Sequence, residues 1–427
     1  MRARALRCVR CGTETAIDGA FKGCPVCREN GKPSNQHVVY NEAELMTAIR
    51  ALRRSPNVQS MWDYRSVLPI DDVNIVTLGE GGTPLLAVPR LGAKLGIPNL
   101  WVKDESRNPT GSFKDRLGAG AVSAAKQLGR KVVVGSSSGN AGAAVAAMAA
   151  RAGIPCVMFT TQKFPQAMKT QMGVYGTYLV AAPTTQDRWT LMEAGVDRLG
   201  WFPTTVYTTP FFGSNAYGIE GYKTIGYEII DQSAELPDHI VFPVGAGDAF
   251  SGAYKGISEY ERAGVIDRVP TMHAAEVFGP LETTLASGSD VVEAVDTQGA
   301  ATVAISVGSN LSTYQALDVL LKTGGVARSA SNEEMMNAQR DLAELEGIWV
   351  ETSSALSIAA LPAMIRSGAI DPDSRVVAVL TSSGLKDPET TSTMLPEIPL
   401  ADATFESALS VLASHYGYEP DTTNTKE

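Results

Sequence analysis

Four of the five cysteines stand in the first 27 residues, as Cys8-x-x-Cys11 and Cys24-x-x-Cys27. Each CxxC pair lets two thiolates converge on one metal from a tight knuckle, and two knuckles complete a tetrahedral four-sulfur zinc shell. Gly12 and Pro25 supply turn chemistry inside the knuckles. Two disulfides are the rival arrangement. They are disfavoured because the opening MRARALRCVRC has basic residues but no apolar core behind them, so no secretory signal is expected. A closed four-sulfur shell leaves no open coordination position, which makes such a zinc structural. Cys156 lies in the apolar run 155–160 and reads as a buried core thiol.

A second reactive candidate is Lys114, in Lys103-Asp-Glu-Ser-Arg-Asn-Pro-Thr-Gly-Ser-Phe-Lys-Asp-Arg116. Asn108–Gly111 is a turn, and a helix is expected to begin around Ser112. Lys114 then falls in the first helical turn, beside the positive end of the helix dipole. That position disfavours a protonated amine and makes it a better nucleophile. A solvated surface lysine is the competing reading. The four histidines, His37, His239, His273 and His415, stand in no dense polar motif, which speaks against His-based metal sites and Ser/His/Asp triads.

Residues of this kind need a scaffold, and the chain alternates β-branched runs with helix-length segments. The runs predict strands at 99–103, 131–135, 155–160, 177–181, 239–244, 271–276 and 375–381. Helices are predicted at 112–129, 141–152, 166–175, 219–231, 250–263 and 331–346. Such alternation implies an α/β fold of parallel, doubly wound sheets, here in two lobes with the site in the crevice between them. Residues 41–70 read as a short helix and a linker, with Trp62, Tyr64 and Arg65 packing on the main body. The stretch Tyr418–Glu427 reads as a polar tail. A net charge of −10 argues against nucleic acid as a partner. The longest apolar stretch, Ala141–Ala150, is about half the ~20 residues that span a bilayer, so no membrane role and a cytoplasmic location are expected.

Three motifs occur in order: Leu78-Gly-Glu-Gly-Gly-Thr-Pro-Leu85, Pro109-Thr-Gly-Ser-Phe-Lys-Asp-Arg116 and Ser136-Ser-Ser-Gly-Asn-Ala-Gly142. Together they resemble the fold-type II enzymes that depend on pyridoxal phosphate (PLP), of tryptophan synthase β-like fold, and most of all the threonine synthase family. The resemblance covers nearly all of residues 70–390, and the cysteine segment is similar to an extension seen in that branch. It implies a zinc-ribbon-like segment at 1–35, a large PLP domain from 36–110 and 216–400, a small mobile α/β domain at 111–215, and a C-terminal helix and tail at 401–427. A homodimer is also implied.

The resemblance further implies roles. Lys114 would carry the cofactor covalently and move the α-proton of an amino-acid substrate. Phe113 would pack beneath the cofactor, unless it is a plain core aromatic. Ser137, Ser138 and Gly139 would hold the substrate carboxylate at a helix N-terminus. Asn140 would face the phenolic oxygen of PLP, the alternative being an ordinary Ser/Asn-capped helix. The loop Val244-Gly-Ala-Gly-Asp-Ala249 would take the cofactor phosphate on the Gly245, Ala246, Gly247 and Ala249 amides, with Asp248 capping the helix that follows. Thr381 would hydrogen-bond the pyridine nitrogen; a hydroxyl partner there suits elimination and replacement better than transamination.

Threonine synthases act on O-phosphohomoserine, expelling phosphate by γ-elimination and adding water at the β-carbon. A phosphate dianion needs cationic partners. The stretch Asn215-Ala-Tyr-Gly-Ile-Glu-Gly-Tyr-Lys-Thr224 resembles one in which an arginine usually follows the aromatic residue, and here Gly218 stands there. Ser382-Ser383 likewise stands where the family often has Gly-His. Lys169 and Lys223 are the remaining candidate cations for the phosphate, and Gly218 predicts weak use of phosphohomoserine. The readings are therefore three. One is a threonine synthase-like enzyme on a phosphorylated amino acid, cysteate synthase included. Another is a serine/threonine dehydratase-type β-eliminase or β-replacement enzyme on an unphosphorylated one. The last is a non-catalytic PLP-binding regulatory module, against which Lys114 and Asn140 argue.

Overall fold

The Val376–Leu380 segment is apolar at all five positions and buried at all five, as a strand covered on both faces must be. The computed structural model describes every residue except 18, 53, 163 and 420–427. Its strands, in chain order, are β1 (Ala5–Cys8), β2 (Glu14–Thr15), β3 (Gln36–Val39), β4 (Leu85–Ala87), β5 (Leu100–Asp104), β6 (Val133–Ser136) and β7 (Cys156–Thr160). They continue with β8 (Tyr178–Ala181), β9 (Phe202–Pro203), β10 (His239–Pro243), β11 (Thr271–Glu276), β12 (Ala327–Ser329) and β13 (Val376–Leu380).

Three sheets result. The cysteine segment forms an antiparallel sheet in the order β2-β1-β3. The largest sheet runs β12-β11-β10-β13-β5-β4, parallel except for β4, which lies antiparallel to β5. A third sheet, β8-β7-β6-β9, is wholly parallel. Two parallel sheets laced with helices are the α/β architecture that the strand–helix alternation predicts.

The seven predicted strands and six predicted helices are all present, with ends displaced by at most three residues. The short elements β4, β9 and β12 were not predicted, because three residues or fewer carry no periodicity. Trp62 and Tyr64 are buried as expected, but Arg65 is exposed, its guanidinium 3.9 Å from Asp72. Among the described residues no helix is long and apolar enough to cross a membrane. The tail predicted for 418–427 lies, from residue 420 on, outside the described residues.

All three sheets belong to one compact unit, Met1–Pro388; residues 389–427 form a second, which contains the helix Phe405–Tyr416. Within the first, the Ala216–Gln232 helix packs against the Lys114–Gln127 and Asp248–Arg262 helices. The contact with the Lys114 helix is made through glycine. A Cβ on Gly221 would lie 2.1 Å from the Arg116 carbonyl oxygen, and one on Gly218 would lie 2.9 Å from Leu117 Cγ. Gly218 is thus a packing residue, and any side chain there would force Leu117 to shift.

Beneath the Lys114 helix lies a buried charge network. Arg116 forks onto Glu105 (2.7 and 2.7 Å) and also donates to Glu228 (2.6 and 2.7 Å), which takes Lys103 at 2.7 Å. All four side chains are fully shielded. Charges removed from water require this pairing. It fixes the first turn of the helix, and with it Lys114.

Candidate active site

Lys114 is the first residue of its helix, as the turn before it predicts. Its amine lies 4.4 Å from the centroid of the Phe113 ring and 5.5 Å from that of Tyr222. The two rings stack at 5.3 Å. The side chain is half-buried, and desolvation pushes the amine below the ordinary lysine range, opposed by the carboxylates of Asp248 and Glu351. Asp248 belongs to the glycine loop after β10, and Glu351 precedes the helix Thr352–Ala359. The amine therefore lies within the field of two separate loops. This is no surface lysine.

The closing motif joins the same place. The Phe113 amide donates to the Thr381 carbonyl (2.8 Å), the Ser383 amide to the Gly111 carbonyl (2.9 Å) and the Glu351 amide to the Ser382 carbonyl (3.1 Å). Thr381 is thereby held beside Lys114. Asn140, at the start of its helix, donates through Nδ2 to both Glu351 oxygens at 3.2 Å. Its Oδ1 is buried without a partner. Burial pushes the Glu351 carboxyl up, opposed by hydrogen bonds from Ser382, Ser306 and Asn140 and by the charge on Lys386. Sequence reasoning missed Glu351. Its only signal is an acid placed directly before a Thr-Ser-Ser run.

The Ser136–Asn140 loop is partly committed. Ser137 Oγ accepts from the Gly139 and Gly142 amides (3.2 and 3.1 Å), and so caps the helix. Ser138 Oγ meets Thr160 Oγ1 at 2.8 Å and accepts from Arg188 Nη1 at 3.0 Å. An anion would therefore be met by backbone amides here, not by two free hydroxyls. Ser138 and Gly139 line a cavity together with Ser306, Glu351, Thr352 and Lys386.

In the glycine loop the Gly245 and Ala246 carbonyls accept from Ser312 Oγ and Thr313 Oγ1, both at 2.7 Å. Each peptide plane then turns its opposite edge, the Ala246 or Gly247 N–H, away from those hydroxyls. Gly247 has φ +78° and its added Cβ would lie 2.4 Å from Ala316 Cβ, so only glycine fits. The expected cap is corrected: Gly247 is the N-cap and Asp248 makes no capping bond. The carboxylate instead accepts from the Ser214 amide (3.0 Å), Ser214 Oγ (2.5 Å) and Gln315 Nε2 (2.6 Å). Its charge is thereby directed into the protein and away from the loop amides.

The two candidate lysines for a substrate phosphate are differently placed. Lys169 is exposed, while its neighbour Met168 lines the cavity. Lys223 is locked between Glu220 (3.0 Å) and Glu259 (3.1 Å) in the core. Lys386 lines the cavity, bonded to Gln171 Oε1 at 2.5 Å and lowered to about 8 by burial, which Asp115 and Glu351 oppose.

The four N-terminal cysteine sulfurs lie within 4.8 Å of one another, and all are free. Cys8–Cys27 and Cys11–Cys24 each stand 3.6 Å apart. Sulfurs at about 2.3 Å from one tetrahedral zinc would be about 3.8 Å apart, so the set fits a metal and not two disulfides. Cys156 is buried in β7, its thiol raised to about 12 by burial.

The arrangement as a whole defines a class: residues 76–382 match the family of pyridoxal-phosphate dependent enzymes. Threonine synthases are similar over almost the whole chain. That of Methanosarcina acetivorans is 34% identical over 94% of this chain and 97% of its own length. Its counterpart from Methanocaldococcus jannaschii is 34% identical over 90% and 93%, and the Mycobacterium tuberculosis protein 35% over 78% and 90%. The chain belongs to the threonine synthase family of PLP-dependent fold-type II enzymes. Solved structures of maize serine racemase (TM-score 0.62, 20% identity, covering 73% of this chain and 91% of that one) and of threonine deaminase isoform 2 from Solanum lycopersicum (TM-score 0.64, 18%, 83% and 87%) share its fold.

Proposed function

We propose that this enzyme acts on an O-phosphorylated amino acid of the phosphohomoserine kind, removing the α-proton, releasing phosphate and adding a nucleophile. The observation that carries the reading is the Lys114 amine, lowered by desolvation and set between the Phe113 and Tyr222 rings and the Asp248 and Glu351 loops. The threonine synthase relatives support the substrate class.

Bound pyridoxal phosphate supplies an electron sink that makes the α-proton removable. The residues present fit that group: a half-buried amine, the orphaned Asn140 Oδ1, and a loop whose amides face away from Ser312 and Thr313. Lys114 would hold it covalently. The Gly245, Ala246, Gly247 and Ala249 amides would take its phosphate, while Asn140 Oδ1 would accept from its phenolic hydroxyl. Phe113 would lie against the ring, and the Thr381 hydroxyl would bond the ring nitrogen. The substrate carboxylate falls to the amides of the Ser137–Gly139 loop at the helix N-terminus. Lys114, with its lowered proton affinity, takes the α-proton and can return it.

The four cysteines support a structural zinc, and free thiols in that number suit a reducing compartment such as the cytoplasm. Resemblance to the family supports a homodimer and a mobile lobe at 111–215.

The test is turnover of phosphohomoserine, phosphoserine, serine and threonine by the purified holoenzyme, following phosphate, 2-oxo acid and new amino acids. Phosphate and threonine from phosphohomoserine are expected. Rapid 2-oxo acid formation from serine or threonine, with phosphorylated substrates inert, would establish the β-eliminase reading, which the absence of an arginine at Gly218 favours.

A further inference from the structure

Arg188 is a half-buried guanidinium. The fully buried Arg116, by contrast, faces two carboxylates. Among the described residues no carboxylate lies within ion-pair distance of Arg188. Its Nη1 donates to Ser138 Oγ (3.0 Å), its Nη2 to Thr185 Oγ1 (3.0 Å), and its Nε is buried without a partner. Burial lowers its proton affinity with no opposing charge. A half-buried cation held only by hydroxyls is an anion site awaiting its anion.

The place is specific. Ser138 contributes its amide to the loop of the substrate cavity, and its hydroxyl meets Thr160 (2.8 Å) and Thr161 (3.3 Å) besides Arg188. The planar guanidinium fork suits a tetrahedral oxyanion. The other cations are committed. Lys223 is paired in the core, Lys169 is exposed, and Lys386 bonds Gln171 within the field of Asp115 and Glu351. Gly218, on the Ala216–Gln232 helix, packs on Leu117 and supplies no charge.

We propose that Arg188, with Ser138, binds the distal phosphate of the substrate and so selects phosphorylated over hydroxyl amino acids. This rests on the reading of the substrate given above, and Arg188 acts as a specificity residue that takes no part in bond breaking.

The experiment titrates holoenzyme with a phosphonate isostere of phosphohomoserine and, separately, with L-homoserine, reading the change in cofactor absorbance. In R188Q, phosphonate affinity should fall on the order of 10- to 100-fold, the loss of charge-assisted bonds, with homoserine unchanged. R188K should recover part, since it restores the charge without the fork. If R188Q does not fold, R188K alone decides, weakening the phosphonate selectively. Equal weakening of both ligands would overturn the proposal, placing Arg188 on the carboxylate or in the fold. Unchanged phosphonate binding would overturn it while leaving the phosphorylated-substrate reading intact. A wild-type enzyme with no preference for the phosphonate over homoserine would remove that reading, and this proposal with it.

Discussion

Arg116→Met removes the centre of the network that anchors Lys114. The guanidinium makes four bonds to two carboxylates, at 2.6 to 2.7 Å, and none of these side chains reaches solvent. After substitution Glu228 retains Lys103, and Glu105 retains only neutral partners, Thr83 Oγ1 (2.5 Å) and Asn108 Nδ2 (2.9 Å). Breaking a buried ion pair from one side costs about 3–5 kcal/mol, so the loss should fall in that range at pH 8. Its pH dependence is diagnostic. In the native protein burial raises both carboxyls, but Arg116 outweighs it, holding Glu105 below its ordinary range and, with Lys103, Glu228 at about 2. These groups contribute stability above the ordinary value of 4.5 that is lost as pH falls toward 2. Without Arg116 the burial of Glu105 is unopposed by that charge and its carboxyl rises. The variant then gains relative to wild type as pH falls, because protonation quenches the stranded charge. Urea unfolding at pH 8 and pH 5 should show the larger deficit at pH 8, and adding Glu105→Gln should recover part of it. A cost below about 1 kcal/mol, or one equal at both pH values, would refute the assignment of the network as the anchor.

Asp115, next to Lys114, is raised to about 7 by burial, which Thr110 and Lys386 oppose. Its stabilising contribution is present below 3.8 and is lost as pH climbs toward 7. Asp115→Asn should therefore gain in thermal midpoint relative to wild type between pH 5 and pH 7.5; parallel profiles would contradict this. Metal analysis should find about one zinc per chain, and Cys24→Ser should abolish it and lower the thermal midpoint. A zinc content well below that in the native protein would remove the metal site. Lys114→Ala should lose the cofactor absorbance above 400 nm and all turnover while retaining the far-ultraviolet dichroism of the native fold. Native-like activity in that variant would remove Lys114 from the chemistry.

The fold was legible where periodicity was long. Val376–Leu380 and Lys114–Gln127 lie where the sequence puts them, because a fully apolar strand and a helix rich in alanine leave few alternatives. The glycine loop was legible as a loop, but not in detail. Asp248 occupies the first helical position, where capping is the usual expectation, yet the partners that draw it away, Ser214 and Gln315, lie 34 and 67 residues distant. Glu351 and Arg188 escaped for the same reason. Their meaning lies in Asn140 and Ser138, 211 and 50 residues away, and no local pattern records such a meeting.

The most direct test of the account is borohydride reduction of the native holoenzyme, followed by proteolysis and mass spectrometry of the peptides. The account predicts a single phosphopyridoxyl adduct, on the ε-amine of Lys114. An adduct on another lysine, or none on the peptide that contains Lys114, would contradict it.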